Sequence, residues 1–422
     1  MNKLEKLLFQ LTIFLIPTNL AYHFITKQSY INGILVDYLI PKLYLSDIPI
    51  LILLFLWLVK AIKNKTKISF RFPHILFLIL LPIGLLSNSP LASAWFWLKL
   101  TQLYLFFLWI KTHIIERKSL SKLYQLTYIS LIITLLFQSL LGIYQFIFQK
   151  SLIGYWFLGE SVLTHSSNIA KGNFSMLPFI KNGFKILPYG TTPHPNVLAG
   201  FLSIGMILLL LIAKKGIKSK AHKNPVLLIT LILSSLTLLL TLSGSAWISF
   251  IIGVSMHSIS PKPNKARIIK AIISLILISL TVFTLLTRDN LLIDSYSISR
   301  RNQLNHIAWQ MFQRKPLSGV GLNNFTARIN QFGTIHTYTS FIQPPHNVYL
   351  LWLSETGLLG IALVLLILIN LKVRKFKYLV EAAPILMILI IGLVDHYLLT
   401  LQTGQLIAIM SLISLKTVYR TI

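Results

Sequence analysis

The residues able to do chemistry are few, and they crowd into one part of the chain, 288–360. A polar run there carries Arg300, Arg301, Arg314 and Arg328 and ends in PPHNVYLLWLSETGLLG, Pro344 to Gly360. His346 and Asn347 stand at the entrance of the apolar helix that this segment begins. An imidazole titrates near neutral pH, where a general base works best. Guanidinium forks match phosphate oxygens two at a time, so Arg300 and Arg301 suit a diphosphate. A plainer reading stands beside this one: Asn347 caps the helix with its side-chain oxygen, and His346 is a satisfied group at its start. Arg314 and Lys315, just ahead of Pro316, fit a solvated helix end.

Two further polar sites interrupt apolar surroundings. Lys99 lies inside AWFWLKLTQLYLF, where a charge costs at least about 2.5 kcal/mol in a bilayer, so it either faces a cavity or partner or snorkels to an interface. Asp395 and His396 lie in GLVDHYLLTLQTGQ, with Gln402 and Gln405 just beyond. There the carboxylate is either part of a site or a marker of the water boundary.

The elements that must position these groups follow from composition. Over 422 residues the chain is 55% hydrophobic and only 12% charged, and its mean hydropathy is +0.73. A soluble surface needs about twice that charge. The chain therefore reads as an all-α polytopic membrane protein, since no period-two alternation suggests a barrel.

About twelve apolar runs approach the length that spans a hydrocarbon core: 7–25, 47–62, 72–88, 91–110, 122–148, 196–213, 225–241, 246–260, 267–286, 347–371, 379–396 and 400–415. The first, after MNKLEK, reads as a retained helix because no small-residue cleavage site follows it. The expected organisation is transmembrane helices over 1–286, a partly helical subdomain over 287–346, and further transmembrane helices over 347–422. Within the middle part, Asn305 to Gln313 puts Ile307, Ala308, Met311 and Phe312 on one side, and Pro316 ends the pattern.

Most of the 39 Lys and Arg fall in short loops or termini on one face, from Lys3 and Lys6 through the groups around Lys65, Lys118, Lys218, Lys265 and Lys375 to Arg420. That bias predicts cytoplasmic termini. It also accounts for the net charge of +29 as topology, and so excludes nucleic acid as its reason. Three longer connections, 26–46, 149–195 and 287–346, then lie outside, and loops of that length are usually functional or disordered.

Absences narrow the chemistry. The chain has no cysteine, hence no disulfide or thiolate. No phosphate-binding Gly loop, dinucleotide fingerprint or HExxH occurs. The ten acidic residues never form a DxD-like pair, so no metal or other cofactor is expected, and a bound diphosphate would depend on cationic side chains.

The run from Arg301 through AWQMFQRKPLSGVGLNNF to HNVYLLWLSETGLLG resembles the signature of the O-antigen ligase and O-antigen polymerase superfamily. That signature has an arginine ahead of a helix, then PLxGVGxxxF, then a His-Asn pair leading into YLxxxxExGxxG. YGTTPHPNVLAGFL, Tyr189 to Leu202, is similar to the family's GTFxHPNxLAGFL stretch and contributes His194 and Asn196. Asp395 matches the acidic residue near the end of the penultimate helix, and Glu355 the glutamate of the last motif.

The resemblance implies a GT-C-like membrane glycosyltransferase. It would move a glycan, without a metal, from undecaprenyl diphosphate to an acceptor hydroxyl at the outer face of a bacterial cytoplasmic membrane. By the same resemblance His346 is the base, Arg301 binds the donor diphosphate, and Asp395 orients the histidine or the acceptor. Arg300 and Lys99 are further donor-binding candidates. Asn347, His194, Asn196, His396 and Glu355 are expected to support the acceptor or the structure. Partners would be the lipid-linked donor, a lipid or glycan acceptor, the bilayer and a chain-length regulator.

One departure stands out. The family's S-R-G/S-A-W turn reads Ser243-Gly244-Ser245-Ala246-Trp247 here, so its second arginine is missing. The alternative from another class is a transporter or flippase of lipid-linked sugars. It would need a repeat between the halves and a polar site at the midplane.

Overall fold

A computed structural model describes residues 1–64, 72–115, 117–164, 169–173, 184–216, 225–258, 295–333, 342–370 and 379–412. The ninth expected span, 267–286, and the basic residues Lys65, Lys218, Lys265 and Lys375 lie outside them. The described chain is mostly helical. Among the described residues, four helices are long and apolar enough to cross a membrane, within Pro90–His113, Lys122–Phe148, Pro195–Ala213 and Val348–Ile367. Pro225–Leu240, Gly244–His257 and Ala383–Gly392 are shorter apolar helices.

The first helix, α1 (Lys3–Phe14), opens on a reciprocal cap. Asn2 Oδ1 accepts from Glu5 N at 2.7 Å and the Glu5 carboxylate accepts from Asn2 N at 2.7 Å. Glu5 also pairs with Lys60, fastening α1 to α2 (Asp47–Lys63). The helix expected over 7–25 stops early, at Phe14. Pro17 lacks the amide needed to continue a helix and biases its neighbour toward extended backbone. Beyond it, β1 (Ala21–His23) pairs antiparallel with β4 (Lys42–Tyr44), enclosing the two-residue strands β2 (Tyr30–Ile31) and β3 (Ile34–Leu35). The connection 26–46 is thus a folded cap of short strands, which the all-helical reading did not anticipate.

Then come α3 (Phe72–Leu85), α4 (Pro90–Ile115) and α5 (Arg117–Phe148), a hairpin of β5 (Lys171–Asn173) with β6 (Phe184–Ile186), and α6 (Pro195–Gly216). After these follow α7 (Pro225–Leu240) and α8 (Gly244–Ser258). The core is built round α6, of whose span 89% is buried. It is apolar on every side because it packs against α5, α7 and α8 together. By contrast, only 39% of the spans of α4 and of Val348–Ile367 is buried. Their outward leucines and isoleucines would be a liability in water and are at home in lipid.

The third connection forms its own small core. Helices α9 (Ser295–Arg314) and α10 (Phe325–Phe332) bury Leu304, Ile307, Ala308, Met311, Phe325 and Ile329 against Leu351. Leu351 belongs to α11 (Val348–Asn370), which is broken at Gly357, where φ is +60°. The segment PLSGVG lies along this break. Leu358 N and Leu359 N donate to the carbonyls of Pro316 and Leu317 at 2.8 and 3.1 Å, and Val320 N donates to Ser354 O at 2.9 Å. A Cβ on Gly357 would come within 2.5 Å of Leu317 O, so only glycine lets the two backbones approach this closely. The chain closes with α12 (Ala383–Gly392), the short α13 (Tyr397–Thr400) and α14 (Gln402–Ser411).

Candidate active site

Four elements converge at one end of the bundle. Helix α9 brings Arg301, with Arg300 one residue before it on the same helix; the segment ahead of α11 brings His346, the turn after α12 brings Asp395 and His396, and the start of α6 brings His194 and Asn196. The turn is fixed from below. Asp395 N still donates to Ile391 O at 3.0 Å, prolonging the last turn of α12, and the buried Tyr397 ring lies over Gly200 of α6. Any side chain at Gly200 would collide with it, a Cβ there falling 1.7 Å from the phenol oxygen.

His346 Nδ1 stands 3.8 Å from Asp395 Oδ1. That nitrogen is buried and takes part in no hydrogen bond among the described residues. On the other side of the ring Nε2 meets Gln343 Nε2 at 3.0 Å. An amide nitrogen can only donate, so Nε2 is the acceptor and the proton of the neutral ring sits on Nδ1, facing the carboxylate. Burial pushes the His346 imidazole down to about 3; Asp395 opposes the shift, while His396, Arg301 and His194 reinforce it. The ring is therefore neutral at physiological pH, with a lone pair to offer.

Asp395 is held by its neighbours. Its Oδ1 accepts from His396 N at 2.9 Å and its Oδ2 lies 3.4 Å from the Asn196 amide nitrogen. The His396 ring centre is 5.0 Å from that of His346, and its Nδ1 is 2.8 Å from Thr400 Oγ1. Arg301 Nη1 donates to Val394 O at 3.3 Å, which sets its guanidinium beside the same turn. His194 sits at the rim, its Nδ1 accepting from Asn196 N at 3.1 Å.

Three expected residues make contacts that hold the fold. Asn347 caps α11, its Oδ1 accepting from Tyr349 N and Leu350 N at 3.0 Å each. Glu355, buried, accepts from Asn323 N at 2.9 Å and Phe325 N at 3.1 Å, holding the loop between α9 and α10. Lys99 is paired with Asp47. That carboxylate also accepts from Gln102 and Gln402 at 2.8 and 2.7 Å, tying α2, α4 and α14 together. Of the two readings of Lys99, the partner prevails over snorkelling. Gly244 opens α8 and offers no side chain.

Gln343, Asp47, Tyr38 and Thr400 were not singled out in the sequence. Only Asp47 left a signal, as an acidic residue at a span boundary with a buried lysine in need of a partner.

Chemically the arrangement supplies a neutral imidazole backed by a carboxylate, with a cation close by. The ligand atoms of His346, Asp395 and His396 also lie within 4.8 Å of one another, a spacing a divalent ion could bridge.

Residues 229–365 match the family model described as O-antigen ligase. The match, about a third of the chain, supports the resemblance to the O-antigen ligase and polymerase superfamily. No curated protein matches the chain. The ligase domain contains Gly244, Arg300, Arg301, His346, Asn347 and Glu355; Asp395, His396, His194 and Asn196 reach the site from outside it. At the level of the family, the match supports a membrane ligase or polymerase.

Proposed function

We propose that the protein transfers a glycan from a polyprenyl diphosphate to an acceptor hydroxyl at the outer face of the cytoplasmic membrane. The observation that carries this reading is the approach of His346 Nδ1 to Asp395 Oδ1, 3.8 Å, beside the Arg301 guanidinium. The acceptor hydroxyl takes the place of Gln343 at His346 Nε2 and gives up its proton there. Its oxygen attacks the anomeric carbon of the donor sugar as the bond to the diphosphate breaks. Asp395 balances the imidazolium that forms, as a carboxylate does behind a catalytic histidine. Arg301, with Arg300 one residue earlier, matches the charge that grows on the departing diphosphate. Asn196 and His396 hold Asp395 in place, and His194 lines the approach.

A transporter would need a midplane site, whereas the polar groups described here gather at one end of the bundle. The test is His346→Ala in the producing cell, followed by display of the surface glycan. Transfer should disappear while membrane insertion is normal, and persistent transfer would remove the base. Single capped repeats would mark a polymerase, and free lipid-linked polymer a ligase.

A further inference from the structure

A recess lies next to the site, between the strand cap of residues 26–46, α4 and the α13–α14 turn. About 510 Å³ of non-atom space lies in and above it, open solvent counted. Tyr38, Trp95, Asn323, Gln402 and Gln405 are among the residues that line it. Two lysines also face it, yet each has an acidic partner. Lys42 Nζ is 2.6 Å from Asp37 Oδ2, and Lys99 is paired with Asp47. The recess is therefore polar but close to neutral, a poor place for a diphosphate.

Aromatic rings beside side-chain amides are what a sugar ring requires. The C–H face of a pyranose packs on an aromatic surface, and its hydroxyls exchange hydrogen bonds with amides, which both donate and accept. One amide has spare capacity. Gln402 is 2% exposed; its Nε2 donates to Asp47, while its Oε1 is buried and accepts from no group among the described residues. A buried acceptor left without a donor is costly, which marks Gln402 as the unsatisfied amide of this wall.

The recess also borders the site through its wall. The Tyr38 ring centre is 5.4 Å from that of His396, and Thr400, another lining residue, lies 2.8 Å from His396 Nδ1.

We infer that this recess is a carbohydrate subsite, holding an uncharged sugar unit of a substrate glycan while the bond is made beside His346. The inference rests on the transferase reading, and its test is a binding measurement that does not depend on turnover.

The full-length protein in nanodiscs would be titrated with three probes. They are undecaprenyl diphosphate, the lipid-linked glycan extracted from the host, and the acceptor glycolipid of a host lacking this gene, purified free of lipid-linked glycan. Trp95→Ala should weaken one of the two glycan-bearing probes by about tenfold and leave undecaprenyl diphosphate unchanged; the probe affected says whether the sugar belongs to donor or acceptor. Trp95→Phe, which keeps a ring, should bind nearly as the native protein does. Asn323→Ser, removing an amide from the wall, should weaken the same probe and serves if Trp95→Ala does not insert. Unchanged binding of both glycan probes, or equal weakening of all three, would overturn the subsite. Failure of His346→Ala to stop transfer would overturn only the base.

Discussion

His346 and Asp395 are separated by 49 positions in sequence and by 3.8 Å in space, from Nδ1 to Oδ1. The histidine sits just ahead of α11 and the aspartate just past α12, and Tyr349 Oη donating to Leu389 O at 2.8 Å holds these two helices together near that end. The contact puts a carboxylate near the Nδ1 edge of the ring, while Gln343 meets the Nε2 edge.

Asp395→Asn keeps the shape of the turn and removes the charge. Catalysis by an oriented acid or base contributes roughly 10²- to 10⁴-fold, and a fall in kcat of about that size with little change in acceptor KM is expected in a vesicle transfer assay. Incubation with EDTA should leave native activity intact. Activity lost to EDTA and restored by zinc would assign His346, Asp395 and His396 to an ion instead.

Arg301→Lys preserves the charge and loses the fork. An ammonium cannot bind two phosphate oxygens side by side, so the KM for the lipid-linked donor should rise about tenfold or more. Saturation by donor that is indistinguishable from native would show that Arg301 is not the clamp.

The acid limb of the pH profile tests the burial of His346. Protonation removes the lone pair, and the folded ring is held down at about 3. In the free enzyme kcat/KM should therefore stay level as pH falls past 6.5, the ordinary histidine value, and decline only as pH nears 3. A bound diphosphate adds negative charge, favours the imidazolium and should move the limb of kcat to higher pH. A limb at the ordinary histidine value in kcat/KM would contradict the buried, neutral ring.

Gly357→Ala tests the docking of PLSGVG on the broken helix. Its φ of +60° and the 2.5 Å approach of a Cβ to Leu317 O make any side chain strained. A loss of about 1–3 kcal/mol or more is expected, read as a lower unfolding temperature in detergent. Unaltered thermal stability would mean that the loop tolerates a different path.

The sequence by itself determined the solvent, the helical class and the neighbourhood of the site. Hydrophobic runs of bilayer length admit few folds, because backbone groups in hydrocarbon must pair within their own segment. The cap at Asn347 and the buried face of α9 were legible for the same reason: they depend on residues three or four apart. What only the tertiary structure decided are the contacts between distant segments. Lys99 finds Asp47, Glu355 binds the amides of the α9–α10 loop, and Asp395 comes to His346 through the packing of α6, α11 and α12. Local pattern cannot encode such meetings, since each depends on the stacking of whole helices and on glycines such as Gly200 and Gly357 that let them close together.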